Sequence, residues 1–209
     1  MKKLLLLVAI TLLFINGGAQ VQFGIKAGAN LANIHLSPTI PYASSNLQPG
    51  FDAGVFLNVP LFEHLGLQNE LIYSAQGAKF NTNFEKFTER LRYLSVPVLL
   101  KYDLSSSFFA VIGPQASFLL SARKKVHYAD YIPENPGDPL IDQTGDNVDI
   151  KSYFKSVDLS GVIGLGYHFT RDIGAAMVYK HSILNILTST DASARQSVFQ
   201  IDLFYLFKK

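Results

Sequence analysis

The sequence predicts an all-β chain, an eight-stranded antiparallel up-and-down transmembrane β-barrel. Three observations predict it. Eight segments alternate apolar and polar residues with a period of two, the signature of strands. The connections between them alternate long and short, as expected of a barrel inserted from one side, with tight periplasmic turns and long outer loops. The 209 residues are 48% hydrophobic and only 16% charged, against about a quarter charged in soluble proteins. Yet no stretch after the N-terminus is long and apolar enough for a membrane helix. A barrel with its apolar face outward reconciles these facts, because its hydrophobicity is spread over alternate residues.

Met1-Lys2-Lys3, the apolar run Leu4–Ile15 and the small residues Gly17 and Ala19 form a secretory signal, with cleavage expected after Ala19. The alternative is an uncleaved anchor helix, against which the short apolar core argues. Residues 20–209 then form one barrel domain. Removing Lys2 and Lys3 from the 18 basic residues leaves 16 against 16 acidic ones. No clustered basic excess marks a nucleic-acid surface. The chain has no Cys, which excludes disulfides, thiol chemistry and a lipid-modified cysteine.

Val21–Ile34 reads as the first strand, and the Pro-containing segment His35–Pro49 as a loop. The hairpin Phe51–Phe80 is the clearest unit. Phe51, Ala53, Val55, Leu57 and Val59 share a face going in; Leu65, Leu67, Leu71, Tyr73 and Ala75 share it coming back. Pro60–His64 is the tight turn between them. Asn81–Glu89 is polar and reads as a second loop. In Leu91–Asp103, Pro97 cannot donate to a ladder, so a bulge or a missing bond is expected there. Leu104–Ser107 turns into Phe108–Ser121. Ala122–Lys155, with Pro133, Pro136 and Pro139, is the longest irregular segment. Ser156–Phe169 and Ile173–Asn185 follow around the turn Thr170–Asp172. Gln196–Phe207 is the eighth strand, so both termini are expected in the periplasm. Phe23, Phe62, Tyr102, Phe108, Phe169 and Tyr205 near the turns, with Phe51, Phe80, Tyr93 and Phe118 near the loops, predict two aromatic girdles.

The chain resembles the outer-membrane β-barrel family of Bacteroidota that includes the PorT-type proteins, often labelled porin family. The resemblance rests on GIKAGANLANI (24–34), GFDAGVFLNVPLFEHLGLQNELIYSAQGAKF (50–80), YLSVPVLLKY (93–102), GPQASFLLSA (113–122), DLSGVIGLGYHF (158–169) and the aromatic last strand. They occur in order over nearly the whole mature chain. The resemblance implies an eight-stranded barrel in the outer membrane. It does not fix a function, since most members have none assigned and PorT itself is associated with secretion of proteins across that membrane. Tyr205-Leu206-Phe207 looks like an assembly signal, although Lys208 and Lys209 follow the final Phe.

On the face opposite the apolar one lie Lys26, Asp52, Glu70, Lys101, Asp158, His168, Lys180 and Asp202. Lys26, Lys180 and Asp202 come together if the barrel closes, and Glu70 and Lys101 are on adjacent strands. An eight-stranded lumen has room for side chains only, so Lys26, Glu70, Lys101, Lys180 and Asp202 are expected to form a salt-bridge network in preference to an ion path. Arg123, Lys124, Lys125, Lys151 and Lys155 flank the long loop where it leaves the membrane, where they either meet lipopolysaccharide phosphates or form a solvated rim. The acidic run Asp130, Glu134, Asp138, Asp142, Asp146 and Asp149 matches no calcium-loop spacing. His35, His127 and His181 with Ser37, Ser121 or Asp130 have no diagnostic catalytic spacing.

The expectation is a non-enzymatic outer-membrane barrel without cofactor, having a structural or surface-interaction role. Its contacts would be outer-membrane lipid and lipopolysaccharide, and a protein through 122–155. The alternatives are a narrow pore or secretion component, and a soluble lipocalin-type binder of apolar ligands.

Overall fold

The computed structural model describes residues 21–37, 44–81, 85–128, 148–188 and 192–207. Strands β1 (Gln22–Ser37), β2 (Ser44–Pro60), β3 (Leu65–Asn81), β4 (Glu85–Asp103) and β5 (Phe108–Tyr128) run up and down in order. After them come a two-residue strand β6 (Val148–Asp149), then β7 (Val157–His168), β8 (Ile173–Ser182) and β9 (Ser193–Phe207). Each long strand pairs antiparallel with the next, and β9 returns to β1 from Phe23↔Phe207 to Ser37↔Ser193. The eight long strands therefore close, and β6 only extends the ladder at the end of β5. Closure leaves no unpaired edge, the one way a sheet can cross a bilayer.

Three short turns, at 61–64, 104–107 and 169–172, lie at one end together with Gln22 and Phe207. We call this the turn end, and the opposite one the loop end. The turns are fixed locally. Ser105 Oγ accepts from the Phe108 N–H at 3.0 Å, and Thr170 Oγ1 from the Ile173 N–H at 3.0 Å, the hydroxyl substituting for a backbone acceptor.

The strands run further at the loop end than the sequence suggests. β2 starts at Ser44, β4 at Glu85 and β5 ends only at Tyr128, so parts of 35–49, 81–89 and 122–155 expected as loops are paired strand. Polarity ends the lipid-facing row without ending the ladder, because hydrogen bonding continues where the surroundings turn aqueous. At Pro97 the β3–β4 ladder skips from Asn69↔Val98 to Ile72↔Ser95 with the register kept, a missing bond and not a bulge. The bulge falls at Arg92/Tyr93.

The apolar rows face outward: Ile25, Val55, Leu71, Leu100, Ile163 and Leu203 are exposed. That orientation excludes the lipocalin alternative, whose apolar face would line the cavity. Phe23, Phe62, Tyr102, Phe108, Phe169 and Tyr205 ring the turn end. At the loop end only Phe51 and Phe118 of the expected four point out; Phe80 and Tyr93 are buried in the lumen. Strand parity decides this, since Phe80 continues the inward row of Ile72 and Ser74.

The lumen is layered. Near the turn end, Phe56, Leu99, Phe109, Val111, Val162, Val178, Phe204 and Leu206 form an apolar cluster. Its three rings rest on glycines directly across the ladder: Phe56 on Gly24, Phe109 on Gly166 and Phe204 on Gly174. A Cβ at these glycines would meet the rings at 2.3, 2.0 and 2.3 Å respectively. Phe204 meets Phe56 and Phe109 edge-on at 6.0 and 5.8 Å. The glycines of GVIGLGY thus include a seat for a ring. We expect Gly166→Ala to destabilise the barrel by about 1–3 kcal/mol through overpacking. Adding Phe109→Leu should recover part of that loss in guanidinium unfolding of the micelle-bound protein.

Candidate functional site

The middle of the lumen is polar. Lys26 Nζ lies 2.9 Å from Glu70 Oε2 and 2.9 Å from Asp202 Oδ2. All three side chains are buried, brought together because β1 sits between β9 and the β2–β3 hairpin. Gln68 donates to Glu70. Gln200 Nε2 bridges Asp52 Oδ1 at 2.6 Å and Asp202 Oδ2 at 2.6 Å, and Asn30 Nδ2 donates to Asp52 at 3.2 Å. On the far wall Asp158 Oδ2 accepts from Ser160 and Ser182, each at 2.9 Å, and Ser95 donates to Ser117 at 2.9 Å.

Two expected members of the salt-bridge network stand apart. Lys101 pairs with Asp103 and lies 4.7 Å from the centre of the Phe109 ring, so it does not pair with Glu70. It is nearer the turn end, where Asp103 on its own strand is within reach. Lys180 is buried, yet its Nζ makes no hydrogen bond or ion pair within the described residues. Beside it a cavity of about 10 Å³ is lined by Gln115, Asp158, Ser182 and Gln196. Such a small polar space is suited to a single water.

A second apolar cluster closes the loop end, built from Ile34, Phe80, Leu91, Tyr93, Leu119, Phe154 and Ile186 among others. Phe154 arrives from the segment after β6, and its bridge to Leu187 holds it over the lumen. Above this cluster opens a cavity of about 530 Å³, mostly apolar, with Glu89 and Lys124 on its wall. Lys124 Nζ lies 3.9 Å from the centre of the Phe87 ring.

The expected loop-flank cations therefore divide. Lys124 points inward, a correction that follows from its register opposite inward Glu89. Arg123 and Lys125 lie on the outward side of β5. Lys151 Nζ donates to the Leu120 carbonyl at 3.0 Å, and Lys155 is exposed. Two outward arginines, Arg90 and Arg92, were missing from the set expected from the sequence. Their signal was the alternation of GluArgLeuArgTyr (89–93), where Leu91 and Tyr93 point inward. Of the acidic run, all but Asp149 lies outside the described residues, as does the 1–19 signal. His181 Nδ1 is 2.9 Å from Ser197 Oγ on the outer face of the barrel. Of the other expected histidine partners, His35 and Ser37 end β1, Ser121 lies on the outward side of β5, the His127 side chain and Asp130 are outside the described residues.

A family model for the outer membrane protein beta-barrel domain matches residues 16–188. The chain belongs to that family. No curated protein matches it. Among solved structures it is similar to Neisserial surface protein A, NspA, with 14% identity over 88% of this chain and 97% of that one, TM-score 0.52. It is also similar to Ail, the attachment invasion locus protein of Yersinia pestis, with 11% identity over 89% and 98%, TM-score 0.50. Ail in complex with the heparin analogue sucrose octasulfate matches at 11% identity over 90% and 99%, TM-score 0.50. At such identities the likeness speaks for the fold, and the fold and family together make this an outer-membrane barrel.

The central triad yields a test. Lys26→Met would leave Glu70 and Asp202 buried without their cation, at an expected cost of about 3–5 kcal/mol. The triple change Lys26→Met, Glu70→Gln and Asp202→Asn should recover part of it in the same unfolding measurement.

Proposed function

We propose that the protein is a non-enzymatic outer-membrane barrel that works through its surface, with a structural or interaction role, and conducts no solute. One observation carries this reading: an apolar cluster closes the loop end, and the cavity between the turn-end cluster and the polar side chains of Lys26, Glu70, Lys101 and Asp202 measures only about 20 Å³. A polar ion would have to shed its hydration to pass either cluster. The loop-end cavity and the flanks of 122–155 are the surfaces offered to a protein partner. Ail, by its name an attachment protein and solved with a heparin analogue, supports a surface role by analogy of fold.

The tight turns and both ends of the described chain share one end, which supports a periplasmic turn end and an outward loop end. Since the chain has no Cys, Ser37→Cys at the loop end should react with an impermeant maleimide on intact cells. Ser105→Cys at the turn end should react only after lysis. Labelling in the opposite sense would reverse the orientation.

The resemblance of the ordered motifs to PorT-type barrels favours a second reading, membership of a protein-secretion assembly. Stable secretion components co-purifying with the detergent-extracted protein would support it. In planar bilayers the surface reading expects no steady channel from the wild type. Replacing Phe56, Phe109 and Phe204 with Ala should reduce the turn-end barrier, leaving the loop-end cluster in place. A large wild-type conductance would refute the closed-lumen reading.

A further inference from the structure

We propose that the outward face of β3–β5 at the loop end binds the phosphates of an anionic glycolipid in the surrounding leaflet. Arg90, Arg92 and Arg123 are its phosphate-binding residues, and Lys79 and Lys125 flank them. The site rests on the orientation proposed above, with the loop end outward.

Register assembles the patch. Arg90 on β4 lies between Gly77 on β3 and Arg123 on β5, and Arg92 between Ala75 and Ser121. One step further out, Thr88 lies between Lys79 and Lys125. Arg90, Arg92, Arg123 and Lys79 are exposed, while the intervening Leu91, Tyr93 and Ala122 are buried inward. Three facing rows therefore present cations on one outer surface. Between them lie only the small residues Ala75, Gly77 and Ser121. The bulge at Arg92/Tyr93 falls within the patch, where added twist re-aims side chains.

Depth selects the ligand. The outward row of β4 runs Tyr102, Leu100, Val98, Val96, Leu94 and then Arg92. The neighbouring row of β5 ends in Phe118 and Leu120 before Arg123. The arginines thus begin where the lipid-facing row stops, at the level of headgroups. A ligand there has acyl chains below and phosphate above.

Charge supplies the drive. Arg90 and Arg123 are direct cross-strand partners, and like charges in that position repel. Among the described residues, no carboxylate lies within ion-pair distance of Arg90, Arg92 or Arg123. Asp149 faces Arg123 in register through β6, but its Oδ1 accepts from the Lys151 N–H. A phosphate bridging the guanidinium forks would turn the repulsion into charge-assisted hydrogen bonds. Among the described residues, the turns at the other end contain Glu63, Asp172 and a single Arg171, so the outward arginine cluster belongs to the loop end.

The test uses native mass spectrometry of the full chain in neutral detergent. The probes are bis-phosphorylated lipid A, lipid A stripped of both phosphates, and sodium phosphate. Wild type should retain bis-phosphorylated lipid A and neither of the others. Arg90→Ala, Arg92→Ala and Arg123→Ala together should weaken it about a hundredfold, roughly fivefold per arginine. Changing the three to Lys should restore only part of the binding, since the ammonium keeps the charge but lacks the guanidinium fork. Heat-modifiable gel migration checks folding, and the single Ala variants carry the test if the triple variant does not fold. Equal retention by wild type and the Ala variants overturns the site. Retention of the stripped lipid overturns phosphate recognition, and equal binding of sodium phosphate overturns the glycolipid as its source. Failure of the orientation shows separately, in the maleimide labelling, while the binding result in detergent stands.

Discussion

The structure depends on closure of the backbone ladder. In a bilayer there is no water to satisfy an unpaired N–H or C=O, so a sheet that crosses must bond its last strand to its first. The β1–β9 seam does this along fifteen paired positions. Closure fixes side-chain parity around the ring, and parity fixes chemistry. Outward positions meet lipid, and inward positions meet one another in a space too narrow for much else. The need for a filled lumen follows directly.

The lumen is filled by setting large side chains against small ones across the ladder. Glycine on one strand lets phenylalanine on the next lie flat across the wall, three times around the turn end. This arrangement covers backbone that would otherwise be exposed, and it brings bulky rings into a narrow circle. The polar layer above it would be costly if unsatisfied, and most of its carboxylates find amides, hydroxyls or Lys26. The loop-end cluster then closes over it, using Phe154 from outside the regular strands.

Strand number, faces and the short turns were legible in the sequence because each rests on period-two alternation or local turn chemistry. Strand ends were not, because a ladder continues past the last lipid-facing residue with no change of period. That error left Arg90 between the expected loop 81–89 and the strand expected from Leu91, while Phe80 and Tyr93 were placed in the girdle against their strand parity. The partners of charged lumen residues were only half legible. Adjacency of strands brings Lys26 to Asp202, but depth along the strand decides that Lys101 takes Asp103. The Phe–Gly seats needed the register between strands, which composition and spacing do not supply.

The Lys26 triad is better understood as a specifier of register than as a source of stability. A buried ion pair gains little over apolar residues of the same volume, since desolvation offsets most of its attraction. Its position argues for the other role. Lys26 is on β1, Asp202 on β9 and Glu70 on β3, so the lysine reaches across the seam and past β2. Sliding β1 by one residue would turn Lys26 toward lipid and leave both carboxylates without their cation. Sliding it by two would keep the faces but move the ammonium about 7 Å along the strand, out of reach of both partners. Apolar burial alone penalises the first slip, while the second is also opposed by the Phe56 ring, which only Gly24 can face. The charged triad penalises both, and it does so at the seam between the first and last strands, which no connecting segment holds in place.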